Sequence, residues 1–164
     1  MIAWRTGGAD RCIVFCGYRI RAYDSIRDRP RESRTTGCRA MKKCILVVED
    51  QEDNRQILHD LLVSAGYELV EAVSGEEALV ALTARRPDLI LMDIQLPVID
   101  GYETTRRIRS NPELKSTPII AVTSYALAGD EAKALAAGCN AYVTKPFSPR
   151  AVLAKVQGLL APVD

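Results

Sequence analysis

Short apolar runs alternate with helix-like segments throughout residues 41–164, and this alternation constrains the fold more than any other feature of the chain. The first run, residues 45–48, is apolar at every position, which is typical of a strand buried on both faces of a parallel sheet. The segment that follows it carries apolar residues at helical spacing: Ile57, Leu58, Leu61, Leu62 and Ala65. Strand followed by helix, repeated five times, predicts a parallel sheet covered by helices on both faces.

The four remaining strands are predicted from apolar runs bounded by turn residues, at residues 67–72, 88–93, 118–122 and 141–144. Gly66 marks the end of the first helix, Pro87 stops the second, and Gly101 lies in the turn before the third. The fourth helix is predicted over residues 128–137 and ends at Gly138. Right-handed crossovers bring every strand-to-helix loop to one edge of the sheet, which is where ligands of open α/β sheets bind.

Charged and hydroxyl side chains stand where the predicted strands end. Strand one is followed by Glu49 and Asp50, strand three ends in Asp93, strand four in Thr123, and strand five in Lys145. Clustered carboxylates resist ionising together unless a cation lies among them, and hard oxygen ligands suit Mg²⁺. A lysine and a threonine at the same edge can contact phosphate oxygens. Asp50 alone would be read as a helix cap and Lys145 alone as a surface charge, but their joint placement predicts a phosphate-and-metal site.

Charge is distributed unevenly along the chain. Residues 1–40 hold nine arginines and four acids, whereas residues 41–164 hold 13 basic and 17 acidic residues. An acidic domain of this kind argues against general nucleic-acid binding. An apolar run of about 20 residues, which a membrane-spanning helix needs, does not occur in the sequence.

Residues 1–40 differ in character from the rest, because they show no sustained helical or strand period. We expect either a basic, poorly ordered extension or a segment upstream of a start at Met41, and the domain itself to be residues 41–164. The five cysteines are odd in number and widely spread, and we identify no convincing secretory signal. We therefore expect reduced thiols in a cytoplasmic protein.

Four motifs together resemble the receiver domain of bacterial two-component response regulators: Glu49-Asp50, residues 93–101 (DIQLPVIDG), Thr123-Ser124 and Lys145-Pro146. The resemblance covers about residues 42–161. It is greatest to stand-alone receivers of the cell-cycle type, through residues 48–50 (VED) and 91–97 (LMDIQLP). It implies a doubly wound, flavodoxin-like sheet of five parallel strands in the order 2-1-3-4-5, flanked by five helices.

The resemblance also implies a role for each residue at the predicted edge. Asp93 would be the phospho-acceptor, and Glu49 and Asp50 would hold Mg²⁺ or Mn²⁺ together with Asp93 and the backbone carbonyl of Gln95. Glu49 stands where many receivers have Asp, and its longer arm could reach the metal through water. Gln95 and Tyr125 occupy positions that tune the decay of the phosphorylated form.

The implied switch residues are Thr123, which supplies a hydroxyl, and Tyr142, which supplies an aromatic ring, while Lys145 would bind the phosphate. Pro146 would follow a cis peptide bond, as deliberate cis bonds precede proline. The phosphoryl group would come from a sensor histidine kinase or a histidine phosphotransfer protein. With no output domain expected, the signal would pass to a downstream regulator through helix four, strand five and helix five, roughly residues 126–158.

Two alternatives belong to other functional classes. An aspartyl-phosphate phosphatase acting on an external substrate would usually need a second acid near the nucleophile, and Gln95 occupies the position where that acid would help. A flavodoxin-like cofactor binder would need a Ser-, Thr- and Gly-rich loop after strand one, but residues 49–53 (EDQED) are acidic and would repel phosphate. The phospho-acceptor function, without turnover of an external substrate, is therefore the main prediction.

Overall fold

Strands and helices alternate without interruption in the computed structural model, which describes residues 42–124 and 130–161. The strands are β1 Cys44–Val48, β2 Glu68–Ala72, β3 Leu89–Asp93, β4 Ile119–Thr123 and β5 Ala141–Thr144. The helices are α1 Glu52–Ser64, α2 Gly75–Ala84, α3 Gly101–Ser110, α4 Asp130–Ala137 and α5 Pro149–Leu160. The order of elements confirms the predicted five-fold alternation of strand and helix.

All five strands are parallel and lie in the order β2-β1-β3-β4-β5, which confirms the predicted flavodoxin-like sheet. In the register of the sheet, Val48 of β1 pairs with Met92 of β3, and Asp93 pairs with Val122 of β4. The last residues of β4 and β5 pair with each other. The residues that follow these pairs therefore come together at the carboxyl edge, with the end of β3 in the centre.

The sheet is buried on both faces by two apolar layers. Leu46 and Val48 of β1 pack into the layer that also contains side chains of α2, α3 and α4. Ile45 and Val47 face the opposite layer, which contains side chains of α1 and α5. Strands β1, β3 and β4 are buried at every position, whereas β2 is an edge strand and is mostly half-exposed. Continuous apolar runs thus mark the central strands, as expected for a parallel sheet.

Helix α3 begins earlier than predicted. Gly101 is its first residue, whereas the sequence pattern places Gly101 in the turn before the helix. The side chain of Asp100 caps the helix by accepting a hydrogen bond from the Glu103 N–H at 2.7 Å. A Cβ atom at position 101 would lie 2.1 Å from the carbonyl oxygen of Asp93. Glycine therefore allows α3 to begin directly against the backbone of the strand that carries Asp93.

Several predictions concern residues that the structure does not describe. These are the extension at residues 1–40, Tyr125, and the predicted start of the fourth helix at residue 128; α4 itself begins at Asp130. Among the described residues, Cys44 and Cys139 are buried free thiols. None of the helices in the described ranges combines the length and the apolar character that crossing a bilayer requires.

Candidate functional site

Three carboxylates meet at the carboxyl edge of the sheet. Glu49 and Asp50 follow β1 directly, and Asp93 is the last residue of β3. One oxygen from each lies within 4.8 Å of the other two. Glu49 and Asp93 are buried, at 0% and 1% exposure, whereas Asp50 is exposed. The structure thus brings together the three acids that the sequence places at strand ends.

Lys145 lies one residue beyond β5 and points its ammonium group into this cluster. Its Nζ is 2.7 Å from Asp93 Oδ2, and it is 2.9 Å and 2.7 Å from the two oxygens of Glu49. Its backbone N–H donates to the Thr123 carbonyl at 2.7 Å, which fixes the start of the loop after β5. The Lys145–Pro146 peptide bond is cis. One cation is therefore shared between two buried carboxylates.

Burial and charge pairing have opposite effects on the pKa values of Glu49 and Lys145. Burial raises the pKa of Glu49 above its ordinary value, although the hydrogen bonds from Lys145 and Asn54 act to lower it. Burial lowers the pKa of Lys145, but the hydrogen bonds and negative charges of Asp93 and Glu49 outweigh it, so the pKa lies above its ordinary value. Lys145 is therefore a fixed positive charge at neutral pH.

The carboxylate of Asp93 is held at both oxygens. Its Oδ1 accepts a hydrogen bond from the Gln95 N–H at 3.0 Å, and its Oδ2 contacts Lys145. The side chain of Gln95 is exposed. Since each oxygen has a donor, the group has a defined orientation at the edge of the sheet, which a nucleophile requires.

The donor set fits a hard divalent cation. Glu49 Oε2 is buried and accepts no hydrogen bond of good geometry, although Lys145 Nζ lies 2.7 Å from it. The three acids supply carboxylate oxygens only, which Mg²⁺ and Mn²⁺ prefer over softer metals. An underused buried oxygen beside two further carboxylates is the environment that such a cation would complete.

The two predicted switch residues lie on neighbouring strands. Thr123 ends β4 and is 4% exposed, one residue beyond the partner of Asp93 in the register. Tyr142 on β5 is half-buried against the core, and Lys155 Nζ lies 5.8 Å from the centroid of its ring. The aromatic side chain thus stands between the interior and the α5 surface, next to the strand that carries Thr123.

Two contributors to the site are absent from the sequence predictions. Asn54 Nδ2 donates to Glu49 Oε1 at 3.1 Å, and Arg55 Nη1 donates to the Glu49 carbonyl at 2.9 Å. Both lie in the first turn of α1, which follows the β1 loop. Their position five and six residues after Glu49 was the available signal, since the first turn of a helix returns toward the strand that precedes it.

Comparisons with known proteins identify the family of the chain. The family described as the response regulator receiver domain matches residues 45–157. The polar-differentiation response regulator DivK of Brucella anthropi is 45% identical over 108 residues, which cover 66% of this chain and 88% of that protein. DivK of Brucella abortus matches with the same identity and coverage.

Solved structures of receivers share the fold. A putative response regulator from Chloroflexus aurantiacus is 36% identical, with a TM-score of 0.71 over 74% of this chain and 99% of that one. The receiver domain of sensor histidine kinase PA1611 from Pseudomonas aeruginosa, with a magnesium ion in its active site cleft, is 39% identical, with a TM-score of 0.68 over 73% and 98%. Since the family match spans more than half of the chain and relatives are covered over most of their length, the chain belongs to the response regulator receiver domain family.

Proposed function

We propose that this chain is a response regulator of the stand-alone type that accepts a phosphoryl group on Asp93 and signals through phosphorylation-dependent contacts with other proteins. One observation carries the proposal: the buried, oriented carboxylate of Asp93 lies 2.7 Å from Lys145 and beside two further acids. The position two residues after Asp93, where a phosphatase would use a second acid, holds the amide Gln95. The phospho-acceptor function is therefore favoured over the phosphatase alternative.

The transfer step follows from the chemistry of the donor. An oxygen of Asp93 forms a bond to phosphorus as the phosphorus–nitrogen bond of a phosphohistidine breaks. The bonding electrons stay on that nitrogen, and the imidazole, with a proton on its other ring nitrogen, leaves as neutral histidine. Lys145 meets the negative charge of the transferred group. Glu49, Asp50, Asp93 and the Gln95 carbonyl would hold Mg²⁺, which when bound neutralises charge on the phosphoryl oxygens. Hydrolysis of the acyl phosphate later returns the carboxylate and inorganic phosphate.

The proposed switch is a local charge event. Phosphorylation adds about −1.5 to −2 charge and new acceptor oxygens at the end of β3. The hydroxyl of Thr123 moves toward the phosphoryl group, and the ring of Tyr142 turns into the space that it leaves. Phosphorylation thereby changes the relative populations of two packings of the edge formed by β4 and β5. The donors are sensor histidine kinases or phosphotransfer proteins, and the recipients are downstream regulators.

The assignment of Asp93 is tested by labelling the full chain with radioactive phosphate from a panel of histidine kinases and from acetyl phosphate. The wild type should be labelled in Mg²⁺ and lose labelling in EDTA. Asp93→Asn should not be labelled, because it keeps the shape and removes the nucleophile. Asp53→Asn, an exposed acid in the first turn of α1, serves as the matched control. Labelling of Asp93→Asn at the wild-type level would refute the assignment.

A further inference from the structure

We propose that Asn54 is a positioning residue that holds the side chain of Glu49 for the cation. The inference rests on the proposed function, because it concerns the same metal site. Its basis is the hydrogen bond from Asn54 Nδ2 to Glu49 Oε1, at 3.1 Å. Asn54 itself contributes no charge to the cluster, so its effect on the metal would act through Glu49.

The orientation of the Asn54 amide is determined by its two neighbours. The same Nδ2 lies 3.0 Å from Gln51 Oε1 and 3.1 Å from Glu49 Oε1. A carboxylate oxygen can only accept a hydrogen bond, so the atom that faces Glu49 is the donor of the amide. Gln51, the residue before α1, makes no side-chain cap with the helix. Its side chain instead holds Asn54 in place.

Glu49 needs such a partner because of its length. Glutamate has one more rotatable bond than the aspartate found at this position in many receivers, and fixing it costs conformational entropy. Its Oε1 receives hydrogen bonds from Asn54 and Lys145, whereas the buried Oε2 accepts no hydrogen bond of good geometry, although Lys145 Nζ lies 2.7 Å from it. Asn54 therefore holds Oε1 from the helix side, and Oε2, which Lys145 contacts without a well-aligned hydrogen bond, is the oxygen that a metal ion would take as its ligand.

The backbone of the same loop is fixed separately by Arg55. Its Nη1 donates to the carbonyl oxygens of Glu49 at 2.9 Å and Asp50 at 3.4 Å. With the main chain held in this way, the freedom that remains in Glu49 is that of its side chain. Groups that orient a metal ligand typically change metal affinity by 10–100-fold when they are removed. Asn54 is a group of this kind, because it orients the side chain of Glu49.

The experiment is a Mg²⁺ titration of the full chain, followed by calorimetry and by amide NMR shifts near Asp93. Asn54→Ala should raise the dissociation constant for Mg²⁺ by about 10-fold. Asn54→Leu, which keeps the volume, should do the same. Gln56→Ala removes an exposed amide from the same helix, one that donates to Asp60, and should leave the constant within about two-fold. A purely structural role would lower the melting temperature of the metal-free protein and leave the constant unchanged.

A double-mutant cycle tests whether Asn54 acts through Glu49. In a Glu49→Asp background the shorter arm has less freedom to restrict, so adding Asn54→Ala should change the Mg²⁺ constant by less than about two-fold. In phosphorylation assays, Asn54→Ala should need about 10-fold more Mg²⁺ for half-maximal labelling, with a near-normal rate at saturation.

Three outcomes of these experiments would overturn the inference or a step of it. Wild-type Mg²⁺ affinity in Asn54→Ala, or in Asn54→Leu where the alanine variant fails to fold, overturns the role of Asn54 alone. An equal loss in the Glu49 and Glu49→Asp backgrounds overturns the proposed route through Glu49. A wild-type chain that shows no Mg²⁺ binding overturns the metal-dependent function, and this inference with it.

Discussion

Glu49 and Asp93 are carboxylates that the fold buries almost completely, and burial of a charge is costly unless a partner offsets it. Lys145 is that partner, at 2.7 Å from both side chains. The arrangement is a weak way to stabilise a fold, since apolar side chains of similar volume would stabilise it as well. It places a cation and an oriented carboxylate at one point, which is the requirement of phosphoryl transfer.

Val98, in the loop between β3 and α3, has a strained backbone conformation. Its φ is 67°, a left-handed conformation that β-branched residues rarely adopt, and its side chain is 91% exposed. Val98→Gly should therefore stabilise the protein by about 1 kcal/mol, because relief of the strain exceeds the entropic cost of glycine. Urea unfolding of the wild type, Val98→Gly and Val98→Ala measures this, with alanine expected to lie between the two. A glycine variant no more stable than the wild type would contradict the strain.

Arg109 connects helix α3 to two neighbouring loops by hydrogen bonds. The Arg109 guanidinium donates to the carbonyls of Gly138 at 2.8 Å and Thr117 at 2.9 Å, and to Asn140 Oδ1 at 3.0 Å. Asn140 Oδ1 also accepts from the first N–H of β4, at 2.9 Å. The side chain thus ties α3 to the loop before β4 and to the loop between α4 and β5, at the edge of the sheet opposite the acids.

Replacing Arg109 by methionine should keep the packing of the aliphatic stem and remove the guanidinium donor from the Gly138 and Thr117 carbonyls, while Asn140 Oδ1 keeps its hydrogen bond from the first N–H of β4. We expect a loss of about 2–3 kcal/mol in the free energy of unfolding, since these hydrogen bonds involve a charged donor and are partly buried. Arg106→Met on the same helix is the matched control. Arg106 makes an exposed ion pair with Glu103, and its loss should cost less than about 0.5 kcal/mol. Equal losses in the two variants would contradict the role of Arg109.

The elements that can be predicted from the sequence are those whose structure is determined by their own residues. The strands β1, β3 and β4 are apolar up to their last residue because both faces are covered, and the polar residues at or just after their ends interrupt those runs sharply. Asn54, Arg55 and Arg109 could not be identified in this way. Polar residues on an amphipathic helix are ordinarily a solvated face, and their contacts depend on where the helix packs. The first residue of α3 was misplaced because the Asp100 cap begins the helix at Gly101.

At the scale of the whole molecule, the part of the chain that the structure describes builds both apolar layers from residues 45–160. We therefore propose that residues 41–164 form a complete folding unit and that residues 1–40 are dispensable. A chain that starts at Met41 should match the full chain in melting temperature to within about 2 °C, because a contact worth more than a fraction of a kcal/mol would shift it further. Calorimetry and the rate of labelling measure this. A clear loss in either would show that the leading residues stabilise the domain.

The last two strands connect the acids to the surface of the protein. Thr123 pairs with Thr144, and the Lys145 N–H donates to the Thr123 carbonyl at 2.7 Å. Tyr142 lies on the same strand and contacts α5 through Lys155. Asp93 is therefore connected to the end of β5 through its contact with Lys145. We propose that α4, β5 and α5 form the output face; residues 126–129 of the predicted face lie outside the described ranges.

Phosphorylation should alter this output face more than any other part of the described surface. A ligand shifts an equilibrium only through its different affinity for the two states, so a partner that prefers the phosphorylated packing must also stabilise it. Amide exchange of the full chain, with and without the phosphoryl mimic beryllofluoride, should change by several-fold or more in α4, β5 and α5 while β2 stays constant. Asp93→Asn should show no response, and Thr123→Ala should bind the mimic with a reduced response. Changes concentrated in α1 and β2, with α4, β5 and α5 unaltered, would place the output at the other end of the sheet, beside β2.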